Sequence, residues 1–114
     1  MPYLSIQTNQ SIDGAAQQEL MQQASAFLAE QLGKSENYIM VAIQPGRNML
    51  FAGNTAPLAY LKLKSIGLPE SITPALSEGL CRLTSDSMDI DQGRIYIEFS
   101  NAERHMWGWN GGTF

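Results

Sequence analysis

The spacing of apolar residues divides the chain into two successive strand–helix–strand units. Residues 2–8 (PYLSIQT) mix apolar and polar positions and are typical of a strand. In the next segment apolar residues recur every three or four positions, which predicts one face of a helix: Leu20, Ala24, Phe27, Leu28 and Leu32. Ser11 or Asp13 can cap the start of this helix, and Gly33 can close its end. Residues 37–44 (NYIMVAIQ) are apolar almost throughout, which predicts a strand covered on both faces.

The second half of the chain repeats this order. NMLFAG predicts a short strand, which GNTAP interrupts. In residues 56–67, Leu58, Tyr60 and Lys62 alternate with Ala59, Leu61 and Leu63, which predicts a strand that ends near Gly67. Residues 71–87 predict a helix whose first turn contains Pro74 and whose buried face carries four apolar residues: Ile72, Leu76, Leu80 and Leu83.

The C-terminal part predicts a turn, a strand and an aromatic tail. In DQGRIYIEFS, the alternation places Tyr96 and Glu98 on the face opposite to Ile95, Ile97 and Phe99. The glycine-rich tail predicts one further short strand around residues 106–109.

These elements predict an α+β fold built in layers. Strands joined by a helical crossover run parallel, so two β-α-β units form a four-stranded mixed sheet with two antiparallel helices on one face. We expect one domain, residues 1–114, with pseudo-repeat halves of about 2–51 and 57–99. The uncovered sheet face, on which we expect Tyr, Ile and Met residues, predicts association with a partner.

Composition and charge exclude several classes of function. The net charge is −4, and only seven scattered Lys and Arg residues occur, which argues against a nucleic-acid partner. No apolar run is long enough for a membrane span and no signal peptide is evident, so a cytoplasmic protein is expected, with export by a non-classical route left open. Cys81 is the only cysteine, and its apolar neighbours predict a small buried side chain rather than a nucleophile.

The sequence predicts neither a metal nor a cofactor. His105 is the only histidine and is expected at the surface, which argues against zinc and against a histidine-based triad. SDSMDIDQG lacks the acidic residue that a calcium loop requires at its twelfth position. No glycine-rich loop joins a strand to a helix in the way a phosphate site requires.

Pro2 is the residue with the most specific chemistry. If Met1 is removed, the Pro2 nitrogen becomes a secondary amine with an ordinary α-amino pKa of about 8. Burial or a nearby cation lowers this pKa towards neutrality, where an amine is a useful general base. If Met1 remains, the same nitrogen is an amide and has no basicity.

Several fragments together resemble the macrophage migration inhibitory factor family of the tautomerase superfamily. They are PYLSIQTN, GK followed by YIMVAI, FAG, LKLKSIG, DQGRIYIEF and GWNGGTF, in the right order over nearly the whole chain. The resemblance implies two β-α-β units, a homotrimer around a central channel, and keto–enol tautomerisation of aromatic α-keto acids such as phenylpyruvate or of dopachrome-type compounds.

The resemblance also implies roles for individual residues. Pro2 matches the proline that acts as general base, and Lys34 matches the lysine that pairs with the substrate carboxylate. Ile66 matches a residue whose backbone contacts substrate, and Tyr96 matches a tyrosine contributed by the neighbouring subunit. Aromatic residues at the pocket rim are matched by three positions: Tyr38, Trp109 and Phe114.

Two features of the sequence depart from the family pattern. Glu98 stands where well-studied members have asparagine, and as a pocket residue it could pair with Lys34 or with a Pro2 ammonium. Either pairing opposes an anionic substrate, which predicts weak or altered tautomerase activity. Leu58 and Leu61 occupy the positions of the Cys-x-x-Cys motif of vertebrate members, so a thiol oxidoreductase activity is not implied.

The sequence thus leaves three functions open. The favoured one is a trimeric tautomerase acting on small aromatic α-keto acids. The first alternative is a non-catalytic, cytokine-like interaction protein that presents its surface to a protein receptor and keeps only a vestigial pocket. The second is a hydratase or dehalogenase that uses the same proline.

Overall fold

The computed structural model describes all residues from Met1 to Phe114. The elements are β1 (Tyr3–Thr8), α1 (Gly14–Leu32), β2 (Met40–Gln44), β3 (Ala59–Ile66), α2 (Thr73–Met88), β4 (Ile95–Ala102), β5 (Gly108–Trp109) and β6 (Gly112–Thr113). Four single turns of 3₁₀ helix lie at residues 36–38, 70–72, 92–94 and 104–106. The predicted α+β fold, with two helices and a four-stranded mixed sheet, is confirmed.

The four long strands form one mixed sheet in the order β2-β1-β3-β4. β1 pairs with β2 in parallel and β3 pairs with β4 in parallel, whereas the two central strands, β1 and β3, are antiparallel. This is the arrangement expected from two β-α-β units placed side by side, and both helices lie on one face of the sheet. A separate two-stranded hairpin, β5–β6, closes the C-terminus.

The core lies between the helices and the two central strands. Leu4 and Ile6 of β1 and Leu61 and Leu63 of β3 are all at most 1% exposed. The helices supply the other side of this layer with residues at helical spacing: Leu20, Ala24, Leu28, Leu76 and Leu80. At Gly79 in α2 a Cβ atom would overlap the ring of Phe27 in α1, so the absence of a side chain there permits the two helices to pack closely.

The ends of the helices follow the local signals in the sequence. Asp13 caps α1, its carboxylate accepting a hydrogen bond from the Ala16 amide at 2.8 Å. Gly33 adopts the left-handed conformation (φ 63°) that ends α1, and Pro74 lies in the first turn of α2. No helix combines the length and the apolar character that crossing a membrane requires.

Two sequence predictions about the first half are wrong. The strand predicted over residues 37–44 begins only at Met40, and it is half exposed rather than covered on both faces. The reason is that both helices lie on one face of the sheet, so the other face of β2 stays open, and the strand order also leaves β2 at the sheet edge. The short strand predicted in NMLFAG does not form, and Phe51 makes only an isolated bridge to Asn54 across a tight turn.

The open face of the sheet is more polar than predicted. Strand register groups its side chains into three rows: Met40, Tyr3, Lys64 and Ser100; Ala42, Ser5, Lys62 and Glu98; and Gln44, Gln7, Tyr60 and Tyr96. Tyrosine and methionine are present, as expected, but two lysines, a glutamate and two glutamines dominate. The face is therefore suited to contact with water or polar groups, and hydrophobic attraction from the strands themselves is limited.

His105 lies at the surface, as the sequence predicts, whereas Cys81 is less buried than predicted. Cys81 is half-buried against the core, and burial raises the pKa of its thiol above the ordinary value, which disfavours the reactive thiolate. His105 is exposed in the single helical turn before the C-terminal hairpin.

Candidate active site

A cavity of about 600 Å³ opens beside the N-terminal end of β1. Its walls are mainly apolar and come from residues 1–3, residues 37–40, residues 106–109, Lys64 and Phe114. Four separate parts of the chain therefore enclose it: the start of β1, the turn that leads into β2, Lys64 of β3, and the C-terminal segment with its hairpin. A mostly apolar concave site with a few polar groups is the usual setting for binding a small molecule.

The sheet holds Pro2 at one wall of this cavity. Pro2 is buried, and its carbonyl oxygen accepts a hydrogen bond from the Met40 amide at 3.0 Å. The next residue, Tyr3, is paired with Met40 on one side and with Lys64 on the other. Because Pro2 directly precedes a central strand with partners on both sides, its position is set by the sheet rather than by a free terminus.

Lys34, at the end of α1, and Ile66 do not line the cavity themselves, but Lys34 lies close enough to the Met1 amine to hydrogen-bond it. The left-handed Gly33 turns the chain, and the Lys34 amide donates a hydrogen bond back to the Ala29 carbonyl at 3.1 Å. The Lys34 Nζ donates hydrogen bonds to the Ile66 carbonyl oxygen at 2.7 Å and to Ser65 Oγ at 3.4 Å. Lys34 and Ile66, two of the predicted site residues, are therefore in direct contact.

The electrostatic environment at this end of β1 disfavours a charged amine. Burial, followed by the charge and a hydrogen bond of Lys34, lowers the pKa of the Met1 terminal amine from 8.0 to about 6. Desolvation and a neighbouring cation both penalise an ammonium. An amine held here is consequently uncharged for the most part at pH 7 and able to accept a proton.

The C-terminal hairpin brings the three predicted rim aromatics together. Asn110 and Gly111 both have positive φ angles (51° and 80°), as a two-residue hairpin turn requires. The Trp109 ring packs edge-to-face on Tyr38 at 5.8 Å between centroids, and it stacks on Phe114 at 5.6 Å. These contacts form one aromatic wall on the same cavity as Pro2.

Tyr96 and Glu98 lie outside the cavity of their own chain. Tyr96 is 63% exposed and packs edge-to-face on Phe51 at 4.8 Å. The Glu98 carboxylate accepts a hydrogen bond from the Tyr60 hydroxyl at 2.9 Å, and this bond raises the pKa of Tyr60. Within one chain Glu98 therefore pairs with Tyr60, and the pairing with Lys34 or Pro2 that the sequence left open is not made.

Sequence reasoning missed several lining residues. Tyr3, Met40, Lys64, Met106 and Trp107 all border the cavity. The alternation of β3 does place Lys64 on the open face, but only the antiparallel pairing of β1 with β3 shows that it stands opposite Tyr3. The chain contains no cluster of three or more His, Cys, Asp or Glu side chains that could hold a metal ion.

Comparison with known proteins identifies the family. The family model described as "Macrophage migration inhibitory factor (MIF)" matches residues 1–114. A macrophage migration inhibitory factor homolog of Brugia malayi is 36% identical, with 100% of this chain and 99% of the relative covered. The macrophage migration inhibitory factor of Mus musculus is likewise 36% identical over the same shares.

A solved structure has the same fold throughout. The crystal structure of a macrophage migration inhibitory factor homologue from Prochlorococcus marinus superposes with a TM-score of 0.93 at 42% identity, and 98% of each chain is covered. The fold, the order of the motifs and the family match agree along the whole chain. This chain belongs to the macrophage migration inhibitory factor family and has the fold of the tautomerase superfamily.

Proposed function

We propose that this chain, once Met1 is removed, is a keto–enol tautomerase of aromatic α-keto acids with the Pro2 amine as general base. One observation carries the proposal: Pro2 is buried at the wall of an aromatic cavity, next to the Met1 terminal amine, whose pKa desolvation and Lys34 lower to about 6. A base with a pKa near the working pH is the most effective, and this one needs no cofactor.

The contacts assign a role to each group in the proposed reaction. The neutral Pro2 nitrogen takes a proton from the carbon next to the substrate carbonyl, and the electron pair moves to the carbonyl oxygen. Proton return to that oxygen from the prolinium yields the enol and regenerates the amine. Lys34 orients the substrate carboxylate and favours the negative charge that develops. The aromatic wall of Tyr38, Trp109 and Phe114 packs against the aryl group and excludes water.

We further propose that the working form is a homotrimer, the assembly typical of this family. Met40, Leu50 and Tyr96 are each more than 60% exposed in the single chain, which leaves apolar area available for a partner. In such a trimer Tyr96 and Glu98 are supplied to the cavity of the neighbouring subunit, while Pro2, Lys34 and the Ile66 backbone come from the chain that holds the cavity.

Processing of the N-terminus tests the proposal directly. Mass spectrometry separates chains that retain Met1 from chains that begin at Pro2, and both are assayed with phenylpyruvate. We expect turnover only from the processed chain, because an amide nitrogen at Pro2 cannot accept the proton. Equal turnover by both forms, or none by the processed trimer, would contradict the proposal, and the latter outcome would favour the receptor-binding alternative.

Replacing Glu98 tests the predicted weakness of the activity. In the trimer, a carboxylate near the cavity opposes an anionic substrate, and it raises the pKa of the Pro2 amine if it pairs with the ammonium. Glu98→Asn is therefore expected to increase kcat/KM for phenylpyruvate several-fold. Glu30→Gln, which removes an exposed carboxylate from α1, is the control and should change nothing. No gain over the unmodified protein would rule out an inhibitory Glu98.

A further inference from the structure

Lys64 is a cation of the cavity that has no partner. It is exposed at the cavity wall and makes no side-chain hydrogen bond or ion pair within the chain, whose one salt bridge joins Arg82 to Glu78 on α2. Lys34, by contrast, is already bonded to the Ile66 carbonyl oxygen and Ser65 Oγ. Because a lysine ammonium has three N–H donors, Lys34 keeps one of them for a ligand, whereas Lys64 keeps all three.

The strand register directs Lys64 towards the cavity. Alternation along β3 sends Leu63 and Ser65 to the buried side, so Lys64 stands on the open face. There it is paired with Tyr3, whose other neighbour is Met40, and all three side chains line the cavity. Lys64 precedes Ile66, the residue that anchors Lys34, by two residues, or about 7 Å along the strand.

The local charge of the cavity is the opposite of the charge of the whole chain. The net charge of the protein is −4, yet no acidic side chain lines the cavity. Lys34 is the cation that lowers the pKa of the Met1 terminal amine. Lys64 lies at the cavity wall and is placed to act on a ligand there.

We propose that Lys64 binds a second anionic group of the substrate, so that the preferred substrates are aryl α-keto acids with a further carboxylate on the ring. This inference rests on the proposed function and specifies its substrate class. Lys34 takes the α-keto carboxylate beside Pro2, the aryl ring lies along the apolar wall, and Lys64 takes the distal carboxylate. A singly charged substrate such as phenylpyruvate leaves Lys64 unused.

The kinetic test compares phenylpyruvate with (4-carboxyphenyl)pyruvate. For each enzyme the measured quantity is the ratio of kcat/KM for the doubly charged substrate to that for phenylpyruvate. Losing one charge-assisted contact in Lys64→Met is expected to lower this ratio about tenfold, mainly through KM. Lys62→Met is the matched control, because Lys62 is an exposed lysine of the same strand face that does not line the cavity.

A carboxylate from the neighbouring subunit is controlled for in the same series. Glu98 of a second subunit is proposed to approach this cavity, where it could pair with Lys64. Lys64→Met is therefore also measured in the Glu98→Asn background, in which no such carboxylate can hide the effect of removing Lys64. A ratio that stays unchanged in both backgrounds overturns the inference. So does an equal fall in Lys62→Met, which would indicate a general field effect instead of a contact.

A binding measurement separates this inference from the proposed activity. Both tryptophans of the chain line the cavity, so their fluorescence reports occupancy by the unreactive acids cinnamate and 4-carboxycinnamate. We expect Lys64→Met to weaken the binding of 4-carboxycinnamate about tenfold relative to the binding of cinnamate. If Lys64→Met weakens this binding and the unmodified protein shows no turnover, the Lys64 site is supported and the tautomerase is refuted. If the unmodified protein turns over substrate but Lys64→Met leaves the relative binding of the two acids unchanged, only the Lys64 site is refuted.

Discussion

Pro2→Gly is expected to lower phenylpyruvate turnover by the processed chain by about 100-fold or more, since a positioned general base contributes factors of this size. Glycine still permits removal of Met1 and still provides an amine. What it removes is the buried pyrrolidine ring, and with it the secondary amine and the fixed backbone φ angle of proline. The Met40 amide would still bond the residue 2 carbonyl, so the start of β1 stays in place.

The matched control for this change is Pro69→Gly, at an exposed proline that precedes α2 and does not line the cavity. It is expected to keep full activity. Circular dichroism and native mass spectrometry establish that both variants fold and assemble alike. A Pro2→Gly enzyme that turns over phenylpyruvate at the rate of the unmodified protein would show that the secondary amine of Pro2 is not required for the reaction.

Lys34→Met is expected to have the second largest effect, a fall in kcat/KM for phenylpyruvate of about 10- to 100-fold, from the loss of a charge-assisted contact with the carboxylate. It should also move the pH profile. Lys34 lowers the pKa of the terminal amine, so without it the amine stays protonated up to a higher pH. The acid limb of the kcat/KM profile therefore shifts to higher pH.

The conservative variant distinguishes charge from structure. Lys34→Arg keeps a cation that can reach the Ile66 carbonyl, and we expect it to keep the acid limb close to that of the unmodified protein. A merely structural role for Lys34 would lower activity in Lys34→Met without moving the limb. An acid limb at the same pH in Lys34→Met and Lys34→Arg would therefore show that Lys34 does not lower the pKa of the Pro2 amine.

Most of the secondary structure follows from local patterns. Both helices, the central strands and β4 have apolar residues at helical or alternating spacing, and the ends of α1 follow from the chemistry of Asp13 and Gly33. The failures fall where local pattern is insufficient. The apolar run of β2 is compatible with burial on both faces, but only the strand order shows that β2 is an edge strand.

The candidate site divides in the same way. The chemistry of Pro2 follows from the sequence, and the family resemblance implied Lys34 and the three aromatic residues. The structure brings Lys34 to Ile66 and the aromatics to one wall beside Pro2. The Glu98 contact with Tyr60 was not predictable, because it depends on the parallel pairing of β3 with β4.

The sequence by itself determined both helices, most of the strands and the chemistry available at Pro2, because periodicity, capping and the reactivity of an amine are local properties. The tertiary structure alone decided which of these side chains meet. The pairing of β1 with β2 and β3 set Met40 and Lys64 beside Tyr3 at the cavity, and packing near Lys34 lowered the pKa of the terminal amine. Contacts between residues distant in the chain depend on strand order and register, which no local pattern specifies.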